Sequence, residues 1–277
     1  MSKFDVIIGD CRRTVRGIAA NSVDTIITSP PYFNLRDYGN DLQIGREKQL
    51  DDYIASLVSV FNRAKRALKP DGTLWINIGD SYGKGKQLLG VPWKLAFALQ
   101  ASGWILRQDI IWSKPNPMPE SVKDRCTRAH EYIFLFSKSE KYYFDYNAIK
   151  EPAISAPRKR EKNNGESAVD TKLRGNSGCC GVTSEFRNKR DVWGVSTKSY
   201  PGAHFATFPP DLIIPCVMAG SRKGGVVLDV FGGSGTTAGV ANALGRDAII
   251  CELNEDYAAL IPDRVKSIIA KYGNRNE

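Results

Sequence analysis

The 277-residue chain is long enough for one large α/β domain with an insertion, or for two small domains. Its 42% hydrophobic and 25% charged residues are ordinary for a globular protein, and no apolar run approaches the roughly 20 residues of a membrane-spanning helix. A net charge of +9 suits a polyanionic partner, whereas six cysteines without a Cys-x-x-Cys pair, and only two histidines, argue against a metal site.

The opening residues, MSKFDVIIGD, lack the basic start and cleavage site of a signal peptide, so a cytoplasmic location is expected. The first strands are predicted at FDVIIG (4–9) and VDTIIT (23–28). A helix follows over 50–68, where Leu50, Tyr53, Ile54, Leu57, Val60, Phe61, Ala64 and Leu68 form one stripe before KPDG ends it. TLWINI (73–78) is the third strand. A helix over 92–102 starts near Pro92 and stops at Gly103. Strands WILRQDIIW (104–112) and EYIFLF (131–136) come next, the latter opened by His130-Glu131, which reads as a structural pair. Asp80, after the third strand, is either a cleft residue or a helix cap.

Residues 150–200 contain 11 lysines and arginines against 6 acids and are rich in Gly, Asn and Ser. This composition fits a solvated loop or a DNA-contacting insertion equally well. Further on, IIPCVMAG reads as a helix, which counts against Cys216 as a nucleophile. VVLDVF (226–231) is a strand, 235–244 a helix ending at Gly245, and DAIICE (247–252) a strand that buries Cys251 as a reduced thiol. A last helix, capped by Asn254, is expected to be interrupted at Pro262. Apolar runs that are continuous, not alternating, and that have helices between them predict an open α/β sheet wound on both faces. Ligands of such sheets bind beyond the carboxyl ends of the strands.

Two strand ends stand out. Thr28-Ser29-Pro30-Pro31-Tyr32 follows VDTIIT, and its two prolines make a rigid turn presenting carbonyl acceptors and an aromatic face. Asp229-Val230-Phe231-Gly232-Gly233-Ser234-Gly235-Thr236-Thr237 joins a strand to a helix, where glycines admit a ligand and free N–H groups attract an anion. Glu252, 23 residues after Asp229, stands where a ribose-binding acid belongs. Alone, the glycine loop indicates an adenosine-containing cofactor without saying which.

Together, Ser29-Pro30-Pro31-Tyr32 and Phe231-Gly232-Gly233-Ser234-Gly235 resemble the catalytic turn and cofactor loop of the amino-methyltransferase family of DNA methylases. Their order, catalytic turn first, resembles the permuted β group. LKPDGTLWINIGDSY (68–82), DIIWSKPNPMPESVKDRCTRAHEYIFLF (109–136) and AHFATFPPDLI (203–213) are similar to further segments of that group. The resemblance implies a doubly wound, mostly parallel seven-stranded sheet of the S-adenosylmethionine-dependent methyltransferase type, circularly permuted. It divides the chain into a catalytic half (1–149), a target-recognition insertion (150–200) and a cofactor-binding half (201–277).

The resemblance further implies base flipping and direct methyl transfer from S-adenosylmethionine to an exocyclic amine in double-stranded DNA. The Ser29 side chain and the Pro30 carbonyl accept from the amine, and Tyr32, fixed behind Pro31, stacks on the base. Asp10 contacts the cofactor's adenine, Phe231 borders the adenosine or the methionine, and Glu252 accepts from the ribose. Gly233, Gly235, Thr236 and Thr237 receive the methionine carboxylate, while Asp229 either joins them or orients the loop. Basic residues 158–160 and 187–190 are candidates for phosphate contacts. Serine at the head of the turn favours N4 of cytosine over N6 of adenine. A nicotinamide enzyme, a non-enzymatic DNA-binding protein and an RNA or protein methylase are the rival readings. A homodimer and a cognate restriction endonuclease stay open.

Overall fold

The computed structural model describes residues 2–37, 39–153, 185–197 and 208–273. Its strands are β1 (Phe4–Ile8), β2 (Val23–Thr28), β3 (Leu68–Ile78), β4 (Ile105–Ser113), β5 (His130–Ser137), β6 (Glu151–Pro152), β7 (Phe186–Arg187), β8 (Val192–Gly194), β9 (Val226–Asp229) and β10 (Asp247–Glu252). The helices are α1 (Cys11–Thr14), α2 (Leu50–Ala64), α3 (Val91–Ala101), α4 (Pro210–Gly220), α5 (Thr236–Ala243) and α6 (Glu255–Tyr272).

One sheet runs in the order β1-β10-β9-β2-β3-β5-β4-β8. All seven expected strands are in it, and the short β8, drawn from within 150–200, adds an eighth at the edge. Pairing is parallel except around β5, which lies antiparallel to both β3 and β4. The C-terminal strands β9 and β10 lie between β1 and β2, as a permuted chain requires. From β9 the chain moves one way across the sheet and from β2 the other, so the β9/β2 boundary is the switch point where an open sheet leaves a crevice.

Every residue of β2 is buried, which explains its unbroken apolar run. α1, α2 and α3 share one core cluster with these strands, and α4, α5 and α6 pack together outside it. Helix α2 buries Tyr53, Ile54, Leu57, Val60, Phe61 and Ala64, as the stripe predicts, but it closes at Ala64 instead of reaching 68. Leu68 instead starts β3 opposite Val23, and Pro70 sits where that pairing shifts register before resuming at Thr73.

Helix α6 is not interrupted: it continues through Pro262 to Tyr272. An internal proline costs about 3 kcal/mol. Ile261, Val265, Ile268 and Tyr272 are all buried on its inner face, and each apolar side chain so buried contributes about 1.5–3 kcal/mol. Burial outweighs the lost hydrogen bond.

Residues Tyr146–Lys189 form a second compact unit, separate from the one comprising Met1–Asp145 and Arg190–Glu277. Its described part is the antiparallel β6–β7 ribbon, in which Arg187 and Glu151 pair at 3.0 Å. The basic cluster 158–160 and the segment 203–207 lie outside the described residues.

Candidate active site

β2 and β9 are hydrogen-bonded neighbours, so the two glycine- and proline-bearing loops leave adjacent strand ends. They are also tied together. The Thr28 hydroxyl donates to Asp229 Oδ1 at 2.5 Å across 201 residues of sequence. Asp229 Oδ1 also accepts from the Phe231 amide at 3.0 Å, and Oδ2 accepts from the Thr237 hydroxyl at 2.6 Å. Burial holds the Asp229 carboxyl above its ordinary pKa, against these three donors. These three bonds tie β2, the glycine loop and α5 to one carboxylate.

Gly232 and Gly233 lack a side chain for different reasons. A Cβ on Gly232 would meet Ile250 Cγ2 at 2.0 Å. Gly233 has φ +52° and open space where a Cβ would point. Gly235, at φ +84°, precedes α5, whose N-terminus has no side-chain cap. Ser234 Oγ and Thr236 Oγ1 are buried there without a hydrogen-bond partner. Free helix N–H groups, unpaired hydroxyls and room for backbone approach fit an anionic group such as a carboxylate.

Next along the sheet, Glu252 Oε2 accepts from the Gly233 amide at 2.6 Å and Oε1 from Asn254 at 2.9 Å. Burial raises the Glu252 pKa. Asp10 follows β1, which pairs with β10, so it stands beside Glu252. It caps α1 and takes the Arg12 Nε on both carboxylate oxygens, each at 2.9 Å. Burial opposes ionisation of Asp10, but the Arg12 hydrogen bonds and charge prevail and lower its pKa. Phe231 packs edge-on against Phe61 at 6.3 Å. Asp10, Glu252 and the Phe231–Thr237 loop thus end three adjacent strands.

In the Ser-Pro-Pro-Tyr turn Pro30 is buried, while Ser29, Pro31 and Tyr32 are half-buried. The Tyr53 hydroxyl, on α2, donates to the Pro31 carbonyl at 2.8 Å and pins the turn from below. The Tyr32 hydroxyl donates to Glu131 Oε2 at 2.6 Å. Burial, followed by the Glu131 carboxylate, raises the phenol's pKa well above its usual value; Tyr53 adds to the rise and Ser29 pulls the opposite way.

Sequence reading missed what lies beneath Tyr32. Glu131 pairs with Lys114 Nζ through Oε1 and accepts from Asn77 Nδ2 at 3.1 Å through Oε2. It is therefore bound to the turn and not paired with His130, whose ring packs on Tyr132 instead. Gly79 makes room for the ring: a Cβ there would meet Tyr32 Cε2 at 2.9 Å. Asp80 is a cap, accepting from the amides of Ser81, Gly90 and Val91 at the start of α3. Cys216 is buried in α4, and burial pushes the Cys251 thiol up to about 11, so neither offers a ready thiolate.

The N6/N4 methyltransferase model, described as DNA methylase, matches residues 23–263. The chain belongs to this DNA methylase family. The type II methyltransferase M.SmaI of Serratia marcescens is 47% identical, over 94% of this chain and 90% of that protein. M.Cfr9I of Citrobacter freundii, also a type II methyltransferase, is 43% identical over 93% and 86%. Among solved structures, the cytosine-N4-specific PvuII DNA methyltransferase superposes with a TM-score of 0.71 at 20% identity, covering 100% of this chain and 96% of its own. M1.HpyAVI in its SAM complex has a TM-score of 0.61 at 17% identity, covering 95% and 98%. The mixed sheet of this DNA methylase is thus the fold of those methyltransferases, with both loops at its switch point.

Proposed function

We propose that this DNA methylase transfers a methyl group from S-adenosylmethionine to N4 of cytosine in double-stranded DNA. The observation that supports this reading most is the Thr28–Asp229 bond, which clamps the Ser-Pro-Pro-Tyr turn to the glycine loop. An acceptor-lined turn and an anion-binding loop held side by side suit transfer between two bound molecules. They leave a redox cofactor without a partner for the turn.

The glycine loop and the unpaired Ser234 and Thr236 hydroxyls would hold the methionine carboxylate. The free lone pairs of Glu252 would take the ribose hydroxyls, and Asp10 and Phe231 would border the adenine. When bound, S-adenosylmethionine supplies an electrophilic methyl on a sulfonium. The lone pair of an exocyclic amine is delocalised into the base, which makes it a weak nucleophile. The Ser29 hydroxyl and the Pro30 carbonyl accept from its two N–H bonds and favour a pyramidal nitrogen with its lone pair localised. Tyr32 stacks on the extruded base, whose removal from the duplex costs a few kcal/mol.

Cytosine is favoured because a neutral hydroxyl heads the turn, and the PvuII enzyme of the same fold is cytosine-N4-specific. Residues 150–200 are assigned to target recognition on their basic composition. The relatives are named type II methyltransferases, so a cognate restriction endonuclease is the expected companion.

Incubation with deuterated-methyl S-adenosylmethionine and mixed-sequence duplex DNA, followed by mass spectrometry of the nucleosides, tests this directly. Labelled N4-methylcytosine is the expected product. Labelled N6-methyladenine would overturn the base assignment and keep the mechanism, and no labelled base would overturn both.

A further inference from the structure

The Tyr32 hydroxyl meets a buried network that the reaction as described does not use. Glu131, at the start of β5, accepts from Tyr32 at 2.6 Å, from Asn77 of β3 at 3.1 Å, and from Lys114 just beyond β4. The side chains of Glu131 and Lys114 are only 13% and 18% exposed. Lys114 also lies 4.5 Å from the centre of the Trp112 ring. An ion pair this enclosed is costly to desolvate and needs its hydrogen bonds complete. A stacking face alone would need no hydroxyl, since a bare phenyl ring stacks as well.

Hydrogen-bond direction supplies a reason for it. The carboxylate of Glu131, paired with Lys114, accepts from the phenol. The single phenolic proton is therefore committed to Glu131, and only lone pairs of the Tyr32 oxygen are left for other groups. The 2.6 Å bond to Glu131 thus holds the hydroxyl, and with it the plane of the ring, in one orientation at the turn.

We propose that Glu131 is a positioning residue of the methyl transfer: through the Tyr32 hydroxyl it fixes the plane of the stacking ring, and so of the base stacked on it. This deepens the proposed function and rests on it.

The test is a double-mutant cycle of Glu131→Gln and Tyr32→Phe, read as single-turnover methylation, DNA KM, cofactor affinity and melting temperature. A glutamine keeps the shape but replaces the charge-assisted bond to the Tyr32 hydroxyl with a weaker neutral one, so the ring is held less firmly. E131Q should slow the methyl-transfer step by roughly tenfold to a hundredfold, the scale of a misplaced reacting group, with KM and cofactor affinity unchanged. On the Tyr32→Phe background the same substitution should cost nothing further. An equal loss on both backgrounds, or a loss confined to KM, would overturn the proposal by making Glu131 a structural charge. If E131Q does not fold, Lys114→Met with Glu131→Gln removes both buried charges and carries the same cycle. The wild-type control separates the two readings. If it methylates N4 of cytosine, the proposed function stands whatever the cycle shows; if it methylates no base, both fail.

Discussion

At the scale of single residues, two adjacent glycines separate packing from ligand approach. Gly232 is closed by Ile250, so Gly232→Ala must push a core strand aside. Gly233 has open space, and a Cβ there costs only the strain of a positive φ, about 1 kcal/mol. Calorimetric melting and cofactor titration should therefore split the pair. Gly232→Ala lowers the melting temperature sharply, whereas Gly233→Ala changes it little and weakens S-adenosylmethionine binding at least tenfold. Equal cofactor affinity in Gly233→Ala would remove that glycine from the binding site. Both glycines, and Ser29 with Tyr32, were legible in the sequence because their chemistry lies in contiguous motifs. Glu131 was not, because it lies 99 residues from the tyrosine it holds and its sequence neighbour His130 suggested a nearer partner.

At the scale of elements, the clasp at Asp229 decides how β2, β9 and α5 sit together. Its carboxyl is 2% exposed and takes three donors, so Asp229→Asn, which turns one acceptor into a donor, should cost about 1–3 kcal/mol. The pH dependence follows from the raised folded-state pKa. Raised by burial, Asp229 binds a proton more readily folded than unfolded. Its contribution to stability is full below the ordinary carboxylate value and declines as pH rises through the raised one. The advantage of wild type over Asp229→Asn, measured by urea unfolding, should be largest in acid and narrow towards neutrality. A gap that widened with pH would mean that the hydrogen bonds, not burial, dominate. The same balance of local and tertiary terms explains the element boundaries. Pro262 signals a break, but the buried stripe of α6 is worth more than one lost bond. Periodicity carries α2 on to Leu68, but pairing with Val23 takes that residue into β3.

At the scale of the whole molecule, the chain separates into a sheet-bearing unit and the unit Tyr146–Lys189. Strand β8 belongs to the first, pairing with β4 from Val192 to Gly194 although it falls within the basic stretch 150–200. Excising 154–184 with a short glycine linker should accordingly leave the melting temperature and S-adenosylmethionine affinity close to wild type and abolish binding to duplex DNA. DNA affinity that survived the excision would move target recognition elsewhere in the chain. Three properties were determined by sequence alone: the class of fold, the order of its strands along the chain, and the two loops that carry the chemistry. Each rests on short-range patterns, namely continuous apolar runs, glycines and prolines at strand ends, and adjacent polar residues. Tertiary structure alone decided that β9 lies beside β2, that Asp229 clasps both loops, and that Glu131 and Lys114 lie under Tyr32. Those contacts join residues far apart in the chain. Their stability comes from burial and hydrogen bonding across the folded sheet, and such terms leave no trace in local composition.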